Sequence, residues 1–183
     1  ENLVVADKPH FLACIPAGRH LQETLLTRLR AQLDLPHLSP IHRLDRETAG
    51  VMLFCADPAR RGAYQQLFAS RTVQKEYEAI APYRAELALP RVHRSRLEER
   101  SDCFVMHEVP GEINSETRIE LLEARGDKAR YRLLPHTGKK HQLRAHLAAL
   151  GIPIANDIWY PTLLPDKGSD FSRPLLLLAR SFE

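Results

Sequence analysis

Ile41-His42-Arg43-Leu44-Asp45-Arg46-Glu47-Thr48-Ala49-Gly50 sets one carboxylate among three bases and ends in a Thr-x-Gly turn ahead of the apolar run Val51 to Cys55. An Asp beside two Arg is, taken alone, usually a surface ion pair of little energetic worth. Two further segments raise the stretch to a candidate active-site loop: Lys75-Glu76-Tyr77-Glu78-Ala79, and Gly138-Lys139-Lys140-His141-Gln142-Leu143-Arg144-Ala145-His146-Leu147. Outward from the loop, Val51 to Cys55 reads as a buried strand. Asp57-Pro58 then supplies an N-cap and a first-turn proline for a helix that buries Ala63, Tyr64, Leu67 and Phe68 on one side.

Upstream, Leu3 to Ala6 reads as a strand. Leu21, Leu25, Leu26, Leu29 and Leu33 mark one core-facing side of a helix ended by Pro36. Downstream, period-two alternation puts Val73, Lys75, Tyr77, Ala79 and Ala81 on one strand face. Thr117 to Glu123 and Ala129 to Pro135 read as a hairpin around Gly126-Asp127. From His141 to Leu150 the residues Leu143, Leu147 and Leu150 form a helical stripe stopped by Gly151-Ile152-Pro153. Arg144, about 100° round from Leu143, is expected at the border of the buried face. Leu175 to Ala179 gives a last strand. Hairpins and helices without a repeated βαβ rhythm predict an α+β domain with a mainly antiparallel sheet, one domain over residues 1–183.

Composition agrees with a globular domain: 44% hydrophobic and 27% charged residues, and apolar runs far short of the roughly 20 residues a membrane helix needs. Cys14, Cys55 and Cys103 are odd in number and lack C-x-x-C spacing, which argues against disulfides or zinc and for a reducing cytoplasm. The net charge of +3 is modest, but basic groups cluster. Arg91, Arg94, Arg96 and Arg100 crowd one segment with His93, and Lys139, Lys140 and Arg144 another. The 91–100 segment is expected to be a loop that grips RNA phosphates, chiefly through Arg94 and Arg96.

The three motifs, in this order, resemble the catalytic core of RNA pseudouridine synthases of the RluA family. Leu3-Val4-Val5-Ala6-Asp7-Lys8-Pro9 is similar to that family's opening strand and Lys-Pro turn. The resemblance implies a pseudouridine-synthase-like fold and isomerisation of a uridine in ribosomal or transfer RNA: the N1 glycosidic bond breaks, the held base rotates, and the ribose is rejoined through C5. It implies neither cofactor nor metal. By the same resemblance Asp45 is the catalytic aspartate, Tyr77 the residue that stacks on the base, and Arg144 the arginine paired with the aspartate. The aspartate could attack the sugar or remove a proton to give a glycal. Further RNA or substrate contacts are expected from His42, Arg43, Arg46, Thr48, Lys75, Lys139, Lys140, His141 and Gln142. His42 and His141 could bond backbone or RNA, and Thr48 and Gly50 shape the turn after Asp45. The small N-terminal RNA-binding domain of many relatives is not expected in this chain, and a monomer is.

The chain departs from the family pattern at Ala49 (usually Ser), Lys140 (commonly Thr), Asn156-Asp157-Ile158-Trp159-Tyr160-Pro161 (usually Gly-Asp-x-x-Tyr-Gly) and Leu178 (often His). These suggest a divergent subgroup. Two other functions compete. A non-catalytic RNA-binding or RNA-folding protein is opposed by the intact Asp45, Tyr77 and Arg144. An N-glycosidic hydrolase would want a second carboxylate to activate water, and Glu47, two residues on, would point away. His136, His141 and His146 are five apart, a step of about 500° on a helix, so they do not converge on a metal ion.

Overall fold

The computed structural model describes residues 2–18, 22–100, 103–165 and 170–183. In chain order the elements are β1 (Leu3–Lys8), α1 (Leu25–Leu33), β2 (Ser39–Pro40), β3 (Ala49–Cys55), α2 (Pro58–Ala69), β4 (Lys75–Pro82), β5 (Arg91–Arg100), β6 (Cys103–Val109), β7 (Ser115–Arg125), β8 (Lys128–Pro135), α3 (Gln142–Ala149) and β9 (Leu177–Phe182). They form an α+β fold with mostly antiparallel pairing, as expected. The chain divides into two compact units, Glu1–Val73 with Leu178–Glu183, and Gln74–Leu177. No helix among the described residues is long and apolar enough to cross a membrane.

In the first unit β3 is central. It pairs antiparallel with β1 from Leu3↔Cys55 to Lys8↔Gly50, antiparallel with β2, and parallel with β9 at Ala49↔Leu178 and Gly50↔Ala179. The last pairing explains Gly50. Its φ is +110°, and a Cβ there would stand 2.1 Å from the Ala179 carbonyl oxygen, so the close approach of β9 requires glycine.

Helix α1 begins with a capping box between Thr24 and Thr27 and ends at Asp34, whose left-handed φ of 53° stops it two residues before Pro36. Leu25 and Leu26 are buried, whereas Leu33 is exposed; Leu21 of the expected stripe lies outside the described residues. In α2, Asp57 accepts the Ala59 N–H and Pro58 opens the helix, as expected. The expected buried side is not found: none of its residues is fully buried, and Leu67 is 45% exposed. Apolar spacing marks which side of a helix is greasy, not how much covers it. Phe68 alone of that side stacks on a ring, that of His42.

In the second unit the strands run β4-β8-β7-β5-β6, each pair antiparallel. The β7–β8 hairpin turns at Gly126-Asp127 between Arg125 and Lys128, with Gly126 at φ +59°, as its sequence predicts. Ala79 and Ala81 of β4 enter the core with Ile119, Tyr131, Leu133, Leu143 and Leu147, and Tyr77 packs against it.

Two expectations fail here. Residues 91–100 are strand β5, not a loop. Strand β7 pairs with its first half, Arg91 to Ser95, and β6 with its second, Arg96 to Arg100. Leu97 is buried, and nearby carboxylates make a basic run tolerable in a sheet: Arg94 pairs with Glu116 on β7, His93 with Glu108 on β6 and Arg96 with Glu98 on β5 itself. Helix α3 is buried from Gln142 through Leu147, so Arg144 sits fully inside rather than at a border.

Candidate active site

Asp45, half-buried in the first unit, opens a β-turn in which the Thr48 N–H donates to the Asp45 carbonyl at 3.1 Å. The main chain is gripped on both sides of it. Before it, the Cys14 thiol donates to the Leu44 carbonyl at 3.0 Å and accepts the Leu44 N–H at 3.3 Å. After it, the buried Lys8 ammonium donates to the carbonyls of Arg46 at 3.0 Å, Pro9 at 2.9 Å and Leu12 at 2.8 Å. Burial pushes Lys8 down to about 8, against the opposing pull of Cys14, Glu47 and Asp45. Burial also pushes the Cys14 thiol up, which keeps its proton available for Leu44.

The other residues of this loop divide into buried and exposed. Thr48 and Glu47 are buried, and the Glu47 carbonyl takes a 2.7 Å bond from His10 Nδ1. Arg46 reaches the Glu47 carboxylate at 2.8 Å and passes 5.9 Å from the Phe11 ring centroid, leaving its buried Nε–H without a described hydrogen-bond acceptor. Arg43 is exposed. Of the two parts expected of His42 the structure supplies the backbone bond. Its Nε2 accepts the Leu53 N–H at 3.1 Å, with Phe68 and Phe182 against the ring at 4.9 and 4.4 Å.

In the second unit Arg144 is 1% exposed and forms a two-pronged ion pair with Asp157, Nε to Oδ2 at 2.7 Å and Nη2 to Oδ1 at 2.6 Å. Asp157 Oδ1 also accepts the Trp159 N–H at 2.9 Å, and the guanidinium lies 4.2 Å from the Trp159 ring centroid. His141, at φ 53°, is buried with Nδ1 3.2 Å from the Tyr160 hydroxyl, which in turn bonds the backbone of Met106.

Gln142 is a structural residue. Its Oε1 accepts from Thr137 and from the Lys139 N–H, and its Nε2 donates to the Glu116 carbonyl and Thr117, so every amide hydrogen-bonding position is used within the protein and none is left for RNA. Lys75 donates to the Thr137 carbonyl at 3.0 Å. Lys139 is exposed, and Lys140 pairs with Glu99.

Sequence reading passed over Asp157, Lys8 and Cys14. Asp157 and Lys8 stood inside quoted motifs, and Asp157 could have been found as the one carboxylate near the third motif. One group among the described residues brings metal-ligand atoms together, His93, Glu108 and His146 within 4.8 Å. It shares only His146 with the trio weighed from sequence. His146 is occupied otherwise, with Nε2 near the Ser95 and Ser115 hydroxyls and Nδ1 near that of Thr117; burial, then His93, push it down to about 3.

Comparison with known proteins follows the same lines. A family model described as RNA pseudouridylate synthase matches residues 2–149. Pseudouridylate synthase RPUSD2 of Homo sapiens is 32% identical over 92% of the chain and 31% of its own length. Dual-specificity RNA pseudouridine synthase RluA of Escherichia coli (strain K12) is 31% identical over 87% of the chain and 74% of its own length. The chain thus spans about a third of the human relative. Among solved structures, Human RNA Pseudouridylate Synthase Domain Containing 4 superposes with a TM-score of 0.76 at 29% identity, covering 99% of the chain and 80% of that protein. With a matching family model over most of its length and the three motifs in order, this chain belongs to the RNA pseudouridylate synthase family.

Proposed function

We propose that the protein isomerises a uridine in ribosomal or transfer RNA to pseudouridine, with Asp45, Tyr77 and Arg144 in the roles the family resemblance gives them. The observation that carries this reading is the double grip on the main chain around Asp45, through Leu44 by Cys14 and through Arg46 by Lys8, in a chain of this family. A carboxylate whose backbone is clasped on both sides is preorganised to meet one sugar carbon repeatedly. In the reaction the C1′–N1 bond breaks, C1′–C5 forms, C5 loses a proton and N1 gains one, so the product is an isomer of the substrate. Asp45 serves as nucleophile or as base in that sequence. Tyr77 holds the detached uracil by stacking, and Arg43, Arg46, Lys75, Lys139 and Lys140 meet the RNA backbone. In this reading the enzyme needs no cofactor or metal and acts as a cytoplasmic monomer.

The test is pseudouridine mapping of total RNA from cells lacking the protein, complemented with wild type or Asp45→Asn. A site lost on deletion and restored only by wild type is expected, with Asp45→Asn still binding RNA. Turnover retained by purified Asp45→Asn would overturn the assignment, and no change at any site would favour the non-catalytic RNA-binding reading.

A further inference from the structure

We propose that Phe104 and Trp159 form a stacking platform for an unpaired RNA base flanking the target uridine, with Lys140 beside it for the neighbouring phosphate; the word "target" rests on the synthase reading above. Phe104, on β6, is 45% exposed, and it meets the half-buried Trp159 edge to face at 4.9 Å and 84°. That arrangement puts two aromatic rings at right angles on one surface. The Lys140 ammonium, paired with Glu99, stands 5.8 Å from the Phe104 ring centroid, and the adjacent Lys139 is exposed with no ion pair among the described residues. A phosphate thus has one cation to take directly and one to take in exchange for Glu99. Behind the pair, Trp159 lies against the His141 ring at 5.0 Å and over the Arg144 guanidinium at 4.2 Å. A continuous series of contacts therefore runs from the buried cation of the third motif to an aromatic ring in solvent.

The fold does not explain why a large apolar ring is left in water there. Phe104 meets the rings of His141 and Trp159 edge to face, whereas Leu97, Val105, Met106, Ala145 and Tyr160 make up the buried cluster against which Trp159 packs. Exposed aromatics interleaved with ammonium groups are the combination that single-stranded nucleic acid uses, because every base offers a π-face and every linkage a negative charge. Lys140 departs from the family pattern described above, and Trp159 occupies a position which that pattern leaves open. The platform is thus a candidate for this chain's choice of RNA context.

Trp159 is the chain's one tryptophan, so its fluorescence reports on this surface directly. Titration of the protein with single-stranded hexa-adenylate and hexauridylate RNA should give saturable quenching. Phe104→Leu, which keeps an apolar side chain over Trp159, should weaken the affinity about fivefold to about a hundredfold, and Phe104→Tyr should retain it. Absence of quenching at saturating RNA, or equal affinity for all three proteins, overturns the platform. Pseudouridine mapping of total RNA from cells complemented with wild type or Phe104→Leu separates the two readings. Product without quenching removes the platform and leaves the synthase, and quenching lost in Phe104→Leu without product in any sample supports the platform as an RNA-binding surface while removing the synthase.

Discussion

The turn that carries Asp45 and the helix that carries Arg144 are held by opposite means. Around Asp45 the protein grips main chain: the Lys8 ammonium takes three carbonyls and the Cys14 thiol bonds both polar groups of Leu44. Around Arg144 it grips a side chain, through the carboxylate of Asp157 and the face of Trp159. A turn has no ladder of its own to fix it, so its geometry depends on outside donors. A buried helix fixes its own backbone and needs only its polar side chain satisfied. Damage to the first region should therefore appear mainly in turnover, and damage to the second mainly in stability.

Three variants sharpen or break that contrast. The largest effect is expected for Asp157→Ala, which strands the buried Arg144 guanidinium and should cost about 3–5 kcal/mol in urea unfolding, since both partners are shielded from water. An unfolding midpoint unchanged from wild type would show that the pair is not what secures this region. Next, Lys8→Met should lower stability by about 1–2 kcal/mol, because the stranded carbonyls are partly offset by removal of a charge that burial already disfavours. It should also lower kcat about tenfold or more with little change in KM, as expected when a catalytic group is misplaced. A KM effect with normal kcat would mean that Lys8 does not position Asp45.

The smallest effect is a slope. His146 has a folded-state pKa of about 3 against an ordinary 6.5, so below pH 6.5 the unfolded chain binds a proton that the folded chain refuses. Its contribution is intact above pH 6.5 and falls with decreasing pH down to about 3, at a slope approaching about 1.4 kcal/mol per pH unit. Unfolding at pH 7, 6 and 5 should show that slope flattened in His146→Gln; equal slopes would mean that His146 is not the group responsible.

The departures from the family pattern become intelligible in the same physical terms. Ala49 and Leu178 are register partners across β3 and β9, so an apolar pair stands where the family usually has Ser and often His. Asn156 replaces a usual Gly at φ 65°, and Asn is among the residues that best tolerate that conformation. Both changes leave Asp45, Tyr77 and Arg144 in the sequence.

Much of the chain is readable without coordinates because its signals are local. The Asp57-Pro58 helix start, the Gly126-Asp127 hairpin, the inward face of β4 and the three motifs each depend on residues a few positions apart. Tertiary structure alone decided the rest. Lys8 reaches the Arg46 carbonyl across 38 positions, and Cys14 reaches Leu44 across 30. The basic run from Arg91 to Arg100 became a strand because β6 and β7 supply its hydrogen bonds and carboxylates. Arg144 went fully inside because Asp157, 13 residues on, meets it there. Sequence spacing fixes which way a side chain leaves its own element, whereas burial and pairing depend on what other elements bring against it, and no local pattern records that.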